Sequence, residues 1–374
     1  MPRSTLVMFP VGFVVAVGVT TILLANQTSG QLATGRITIN PQFDSAGNFS
    51  EGLAAVLIGD KNANKWGFIG KNGEFVIKPQ FDDAGPFNDG LAAVRIGDIK
   101  TGKWGFINKQ GKFVINPQFD DAEVERPEFN EGLAAIRIGN ALTGKWGFID
   151  KQGKFVINPQ FESHPYFSDG LADVQFGETG KWGFIDKQGR FAIKPQFDST
   201  AAFSEGLAGV RIGDRLTGKW GIVNKQGKYV ANPQFDWAPW FSEGLAAIKT
   251  GDKDSTKWGF IDKQGKFAIN PQFDLAAAFS EGLAAVRVGD ALTGKWGYVD
   301  KQGKLVINPQ FGYAGIFLNG LAVARIGKTD KLGYIDKQGK FAVDPQFDNA
   351  FLFSEGLAAV KIGGQAGKWG YISR

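Results

Sequence analysis

The chain contains no cysteine, one histidine and two methionines. Without cysteine there is no disulfide, no thiolate metal site and no cysteine nucleophile. That absence does not assign a compartment, because a protein that needs no staples folds in any of them. The one histidine, His164, lies in Glu162-Ser163-His164-Pro165-Tyr166-Phe167. A metal site or a Ser-His-Asp triad built on it would need partners that the sequence does not supply. His164 is therefore read as a solvated or locally packed residue, and no metal or cofactor is expected. No block of like charge occurs either. The net charge of +5 is a mild excess of 42 basic over 37 acidic residues spread along the chain. That is a solvated surface and not a nucleic-acid footprint. No Gly-Lys-Ser/Thr phosphate loop and no EF-hand spacing is present.

What the chain has is aromatic side chains and turn residues. Its 33 Phe and 10 Trp can fill a core, and its 52 Gly and 15 Pro suit short strands joined by tight turns. These residues repeat. Pro-Gln-Phe begins at Pro41, Pro79, Pro117, Pro159, Pro195, Pro233, Pro271, Pro309 and Pro345, at intervals of 36 to 42 residues. Trp-Gly keeps the same beat from Trp66 to Trp369, with Leu332 in the Trp place of the eighth unit. A fixed period of this length dictates the architecture.

Each unit reads as three short strands. Trp104-Gly105-Phe106-Ile107 is followed by Asn108-Lys109-Gln110-Gly111, which suits a type I turn closed by a left-handed glycine. The next run, Phe113 to Phe119, has apolar residues at every second place, the mark of a half-buried strand. Pro117 has no N–H for a ladder, so it belongs at an edge or at the end of pairing. After a loop, a third strand such as Leu91-Ala92-Ala93-Val94-Arg95-Ile96 completes the unit. One unit cannot bury its own aromatics, so neighbours must stack into a continuous core.

The units resemble the WG repeat, also called the KWG repeat, a family of β-rich repeats found largely in bacteria. The likeness rests on Lys-Trp-Gly-Phe-Ile-Asp, Gly-Lys-Phe-Val-Ile, Pro-Gln-Phe-Asp and Phe-Ser-Glu-Gly-Leu-Ala, and it covers roughly Gly35 to Arg374. The resemblance implies a binding or scaffold module and carries no catalytic residues onto this chain.

The expected fold is all-β, with nine tandem three-stranded repeats over residues 37–374. We favour an open, twisted or superhelical array, because nine units exceed the usual blade number of a propeller and three strands fall one short. The alternative is a closed propeller-like ring. The first unit starts with a lone second strand, Arg36-Ile37-Thr38-Ile39-Asn40, and the last stops after a lone first strand, Trp369-Gly370-Tyr371-Ile372, so the two could pair.

Residues 1–25 read as a signal peptide or signal anchor. Arg3 precedes an uncharged apolar run from Leu6 to Ala25, long enough for a helix to cross a bilayer. Pro10 would shorten that core, and Thr28 and Gly30 form a weak cleavage pair, so both forms stay open. Residues 26–36 read as a linker. Either form exports the repeats, to remain membrane-anchored or to become secreted or periplasmic, with membrane contact through the N-terminal segment only. The sequons Asn26-Gln27-Thr28 and Asn48-Phe49-Ser50 matter only in a host that uses them.

Carboxylates recur before glycine at Glu51, Asp89, Glu131, Asp169, Glu205, Glu243, Glu281 and Glu355, with Asn319 breaking the row. A residue repeated in every unit is expected to satisfy backbone N–H groups, whereas a catalytic pair would be singular. The informative departures lie in the four variable residues after Pro-Gln-Phe-Asp. Equivalent loops of a repeat protein fall on one face, often the binding face. Tyr166, Trp237, Trp240, Tyr313 and Phe351 are the candidate ligand-binding residues, placed to stack on sugars or to anchor a peptide or protein. The opposing expectation is that they pack against the adjacent unit. The functional expectation is a non-enzymatic exported scaffold for an unknown protein, peptide or polysaccharide. The alternatives are a carbohydrate-active enzyme on a ring and a spacer without ligand.

Overall fold

The computed structural model describes residues 35–59, 64–120, 126–139, 143–177, 180–251, 256–327 and 330–374. The expected N-terminal signal or anchor lies outside them, as does the linker apart from Gly35 and Arg36, and Arg36 already belongs to a strand. Among the described residues no helix is long and apolar enough to cross a membrane. Residues 33–374 form one compact unit.

That unit is all-β, built from small antiparallel sheets of four strands. The third sheet is typical, with Phe129–Asn130, Leu133–Ile138, Lys145–Ile149 and Phe155–Phe161 in spatial order. Each sheet thus has one strand more than the three expected. The additional strand is the supposed loop after Pro-Gln-Phe. It makes only about two ladder pairs, too few for alternation to betray it. The seventh and eighth sheets share the strand Leu305–Ala314, which runs through because Gly312 stands where other units turn at aspartate.

The hairpin turns follow the sequence signals. Asp150 Oδ1 accepts hydrogen bonds from the N–H groups of Gln152 (3.0 Å) and Lys154 (2.9 Å), and Gly153 adopts φ 80°. In the outer strand, Trp146 pairs with Phe161 and Phe148 with Ile157, so Asn158-Pro159-Gln160 forms a bulge. Pro159 therefore costs no ladder bond. Gln160 Nε2 donates to its own strand's Asn158 carbonyl at 3.3 Å, which blunts the edge against another chain.

The bulge also explains Trp-Gly. A Cβ on Gly147 would lie 2.5 Å from the Ile157 carbonyl oxygen and 2.6 Å from the Pro159 nitrogen. The lysine before each Trp pairs with the acid after Pro-Gln-Phe, as in Lys181–Asp198 at 2.6 Å. Lys181 and then the Gly213 N–H hold the Asp198 carboxyl below its usual range. These pairs are exposed, worth between about 0 and 1 kcal/mol each.

The core sits between sheets. At the seam between the third and fourth, Trp146, Phe148, Ile157 and Phe161 meet Phe167, Ala172, Val174 and Ile185. Nine such clusters occur among the described residues, one for every unit. An open row of nine would have eight. The ninth is the closure seam, where Arg36–Phe43 pairs antiparallel with Lys368–Ser373. Here Phe49 meets Tyr371 at 5.0 Å, and the Ser354 hydroxyl donates to the Phe49 carbonyl at 2.7 Å. Of the two arrangements considered, the chain adopts the closed ring. The lone first strand supplies the hairpin partner that the last sheet lacks, and both sheet edges are spared.

The carboxylate row seals the opposite rim from the bulges. Glu51 stands at φ 53° in a two-residue turn with Gly52. Its carboxylate accepts the Gly90 N–H of the next unit at 3.1 Å and pairs with Lys109 at 3.1 Å. Glu355 closes the series on Gly52 and Lys71. Asn319 breaks the row where the following unit has no Lys-Gln-Gly turn, because that unit's outer strand comes from the other end of the chain. With Leu318 in the serine place, the Asn319 amide instead donates to the Phe353 carbonyl at 3.1 Å.

Replacing Gly147 by Ala forces a methyl into backbone atoms that cannot yield. Its denaturant midpoint should fall by the equivalent of about 2–3 kcal/mol. An unchanged midpoint would refute this account of the Trp-Gly motif.

Candidate functional site

The rim that carries the bulges also carries the ends of the variable strands and the Trp residues. Arg95, cross-strand from Trp104, places its guanidinium 5.9 Å from the Trp104 ring, and Arg211 does the same over Trp220 at 5.8 Å. In the first unit Leu57 takes that place, and Arg126 from the longer third loop covers Trp66 at 5.5 Å while pairing with Asp83 at 2.9 Å.

The five aromatic candidates distribute over four units. Trp237 is 51% exposed and Trp240 40%, while Tyr313 and Phe351 are close to that and Tyr166 is more covered. Trp237 leans on Trp258 of its own sheet at 5.8 Å, and Phe351 stacks on Trp369 of its own sheet at 5.0 Å. Tyr313 sits cross-strand from Arg325. Burial pushes the Tyr166 hydroxyl upward, with Glu128 and Glu131 of the preceding unit adding to the shift. No two of the five rings stack on each other among the described residues. Only Trp237 and Trp240 share a loop.

That loop is held by a matched pair of departures. Gly209 stands where six other units have alanine, and Pro239 fills the space, since a Cβ on Gly209 would be 3.0 Å from Pro239 Cδ. Pro239 is buried while the indoles on either side of it face solvent.

His164 packs locally. Its ring meets Trp146 of the preceding unit at 4.4 Å, edge to face. Among the described residues no group of three His, Asp or Glu could hold a metal ion.

Sequence reasoning passed over Asp173. It replaces alanine in the third-strand pattern, as Leu-Ala-Asp-Val, and lies at the seam between the fourth and fifth sheets. Thr200 of the next unit, also at an alanine place, donates its hydroxyl to Asp173 Oδ2 at 3.0 Å. Burial raises the Asp173 carboxyl above its ordinary value of 3.8, while Thr200, its own backbone N–H and His164 act in the lowering direction. The signal was a polar residue in a row otherwise filled by Ala, Gly and Val. A carboxyl whose folded value is raised lends stability below its unfolded value and loses it as pH rises through the folded one. Asp173→Asn should therefore melt higher than the parent at pH 7, and the gap should close as pH falls toward 4. An equal gap at both pH values would contradict this assignment.

Comparison with known proteins places these features. A family model described as WG containing repeat matches nine times, at residues 33–61, 66–98, 104–140, 146–179, 182–215, 220–253, 258–290, 296–329 and 333–369. No curated protein matches the chain. Among solved structures it is similar to an acylaminoacyl peptidase of Pyrococcus horikoshii, at 11% identity and TM-score 0.40, over 87% of this chain and 58% of that one. A prolyl endopeptidase is similar at 8% identity and TM-score 0.46, over 82% of this chain and 50% of that one. The chain thus spans little more than half the length of these peptidases, and likenesses this distant carry nothing about activity. The nine matches, taken with the Trp-Gly pairs and bulges that recur around the ring, make this chain a member of the WG-containing repeat family.

Proposed function

We propose that the ring is a non-enzymatic binding scaffold. It engages a protein, peptide or polysaccharide through aromatic side chains at the variable positions of its bulge rim. The observation that carries this reading is the pair of half-exposed indoles, Trp237 and Trp240, on a loop locked by Pro239. Indoles kept in water lose the burial that packing would give them, about 1.5–3 kcal/mol for a large apolar side chain. Aromatic anchors of this kind concentrate binding energy at interfaces. The exported, envelope-facing setting belongs to the same proposal and is motivated by the apolar run Leu6 to Ala25.

The rival carbohydrate-active enzyme calls for two carboxylates held in unequal environments across a cleft. Among the described residues Asp173 is the one carboxylate with a raised value, and its hydrogen-bond partner is Thr200. This favours the binding reading over the catalytic one.

The double variant Trp237→Ala, Trp240→Ala tests the proposal on immobilised glycan and peptide arrays. Binding should drop at least about tenfold with the melting temperature held. Unfolding of the variant would show that the indoles serve packing, and full retention of binding would remove them from the site.

A further inference from the structure

The Trp237 loop brings together three kinds of side chain that narrow the ligand. In the second, third, fifth and seventh units the acid after Pro-Gln-Phe spends both oxygens internally. Asp82 takes Lys65 on one oxygen and the Gly97 N–H (2.9 Å) on the other. Asp198 and Asp274 do the same with Gly213 (2.9 Å) and Gly289 (2.8 Å). In the sixth unit Asp236 holds Lys219 by Oδ1, and among the described residues Oδ2 has no partner, a state shared with Asp44, whose unpartnered oxygen is buried. A carboxylate oxygen is thus available one residue before Trp237.

Lys249 lies on the neighbouring strand, where its carbonyl accepts the Asp236 N–H at 3.1 Å. It is cross-strand from Trp258, the ring on which Trp237 leans. Lysine here replaces the arginine that covers the Trp ring in the second, third and fifth units. The sixth unit therefore carries an exposed flat apolar platform, a carboxylate acceptor and an ammonium donor on two backbone-paired segments.

Resting on the binding reading above, we infer that this site takes a neutral glycan, one hexopyranose ring lying on Trp237. The apolar C–H face of a pyranose suits an indole face, and its hydroxyls both donate to a carboxylate and accept from an ammonium. A peptide added as a further strand would need backbone hydrogen bonds from an open strand edge. The short strand here begins only at Phe241, and Pro239 before it has no N–H to offer. The Gly209–Pro239 contact acts as a positioning device that fixes the indole before the sugar arrives, which lowers the ordering cost of binding.

The full chain is titrated separately with cellohexaose, xylohexaose, chitohexaose and maltohexaose, and with a proline-rich dodecapeptide as comparator. Indole fluorescence and calorimetry report binding. At least one hexasaccharide should bind, and Trp237→Ala should weaken it about tenfold or more. Gly209→Ala, which removes no indole, should also weaken it, and adding Pro239→Ala should restore part of the loss. Should Trp237→Ala fail to fold, Trp237→Phe and the Gly209 series carry the test. Binding of the peptide alone, dependent on Trp237, overturns the glycan inference and leaves the scaffold reading standing. Sugar binding indifferent to Trp237 and Gly209, or no binding by any of the four sugars, overturns the glycan inference. Indifference of every ligand to Trp237 and Trp240 overturns the scaffold reading as well.

Discussion

The structure depends on one contact, an aromatic ring of one sheet set against an aromatic ring of the next. Phe148 meets Phe167 at 4.7 Å, Phe184 meets Phe203 at 4.7 Å, and Tyr334 meets Phe353 at 4.9 Å. Such a pair adds about 0.5–1.5 kcal/mol beyond the burial of its area. No four-stranded sheet can make this contact alone, because the two rings belong to different sheets. Stability is therefore a property of the seams, and each unit is solid only between two others. Where the sixth sheet meets the fifth, Ile222 and Phe241 fill the same place without a ring pair. The arrangement tolerates a change of side chain provided that the seam stays filled.

Around that constraint the conserved-looking residues divide the work by geometry. Trp packs the seam, Gly admits the bulge beside it, and Gln covers the exposed edge. The acid of the rim turn adopts a left-handed backbone, which costs about 1–2 kcal/mol for a residue with a side chain. The bond from the next unit's glycine N–H and the contact with its lysine offset that cost, and they tie successive units together. A ring built from identical ties can vary one strand freely, namely the short one that carries little of the ladder. The departures proposed to bind ligand lie in or just before that strand, at Ser163 to Tyr166, at Trp237 to Trp240 and at Asn349 to Leu352.

Much of this could be read in the residues. The period, the hairpin with its left-handed glycine, the structural role of the repeated acids and the local packing of His164 all follow from spacing and residue type. Three features were missed or outweighed. The short strand Phe167–Ser168 has too few residues to show alternation. Ring closure joins Ile37 to Ile372; its trace was the lone half-hairpin at each end, which the unit count and the three-strand reading outweighed. A second mark is Asn319, the acid omitted where the partner lysine is missing, and that mark makes sense only after the ring is seen. Asp173 was hidden because its partner Thr200 lies in the next unit, and neither residue is informative singly.

Closure is the claim on which the rest turns, and the absence of native cysteine makes it directly measurable. Ile37 and Ile372 are opposite each other in the closing pair of strands. Cysteines introduced at both should oxidise within one molecule in a dilute solution of the folded protein. The linked form should melt higher than the reduced one, by the equivalent of about 2–4 kcal/mol. Free thiols after oxidation, or links formed only between molecules, would mean that the ends do not meet and that the ring is open.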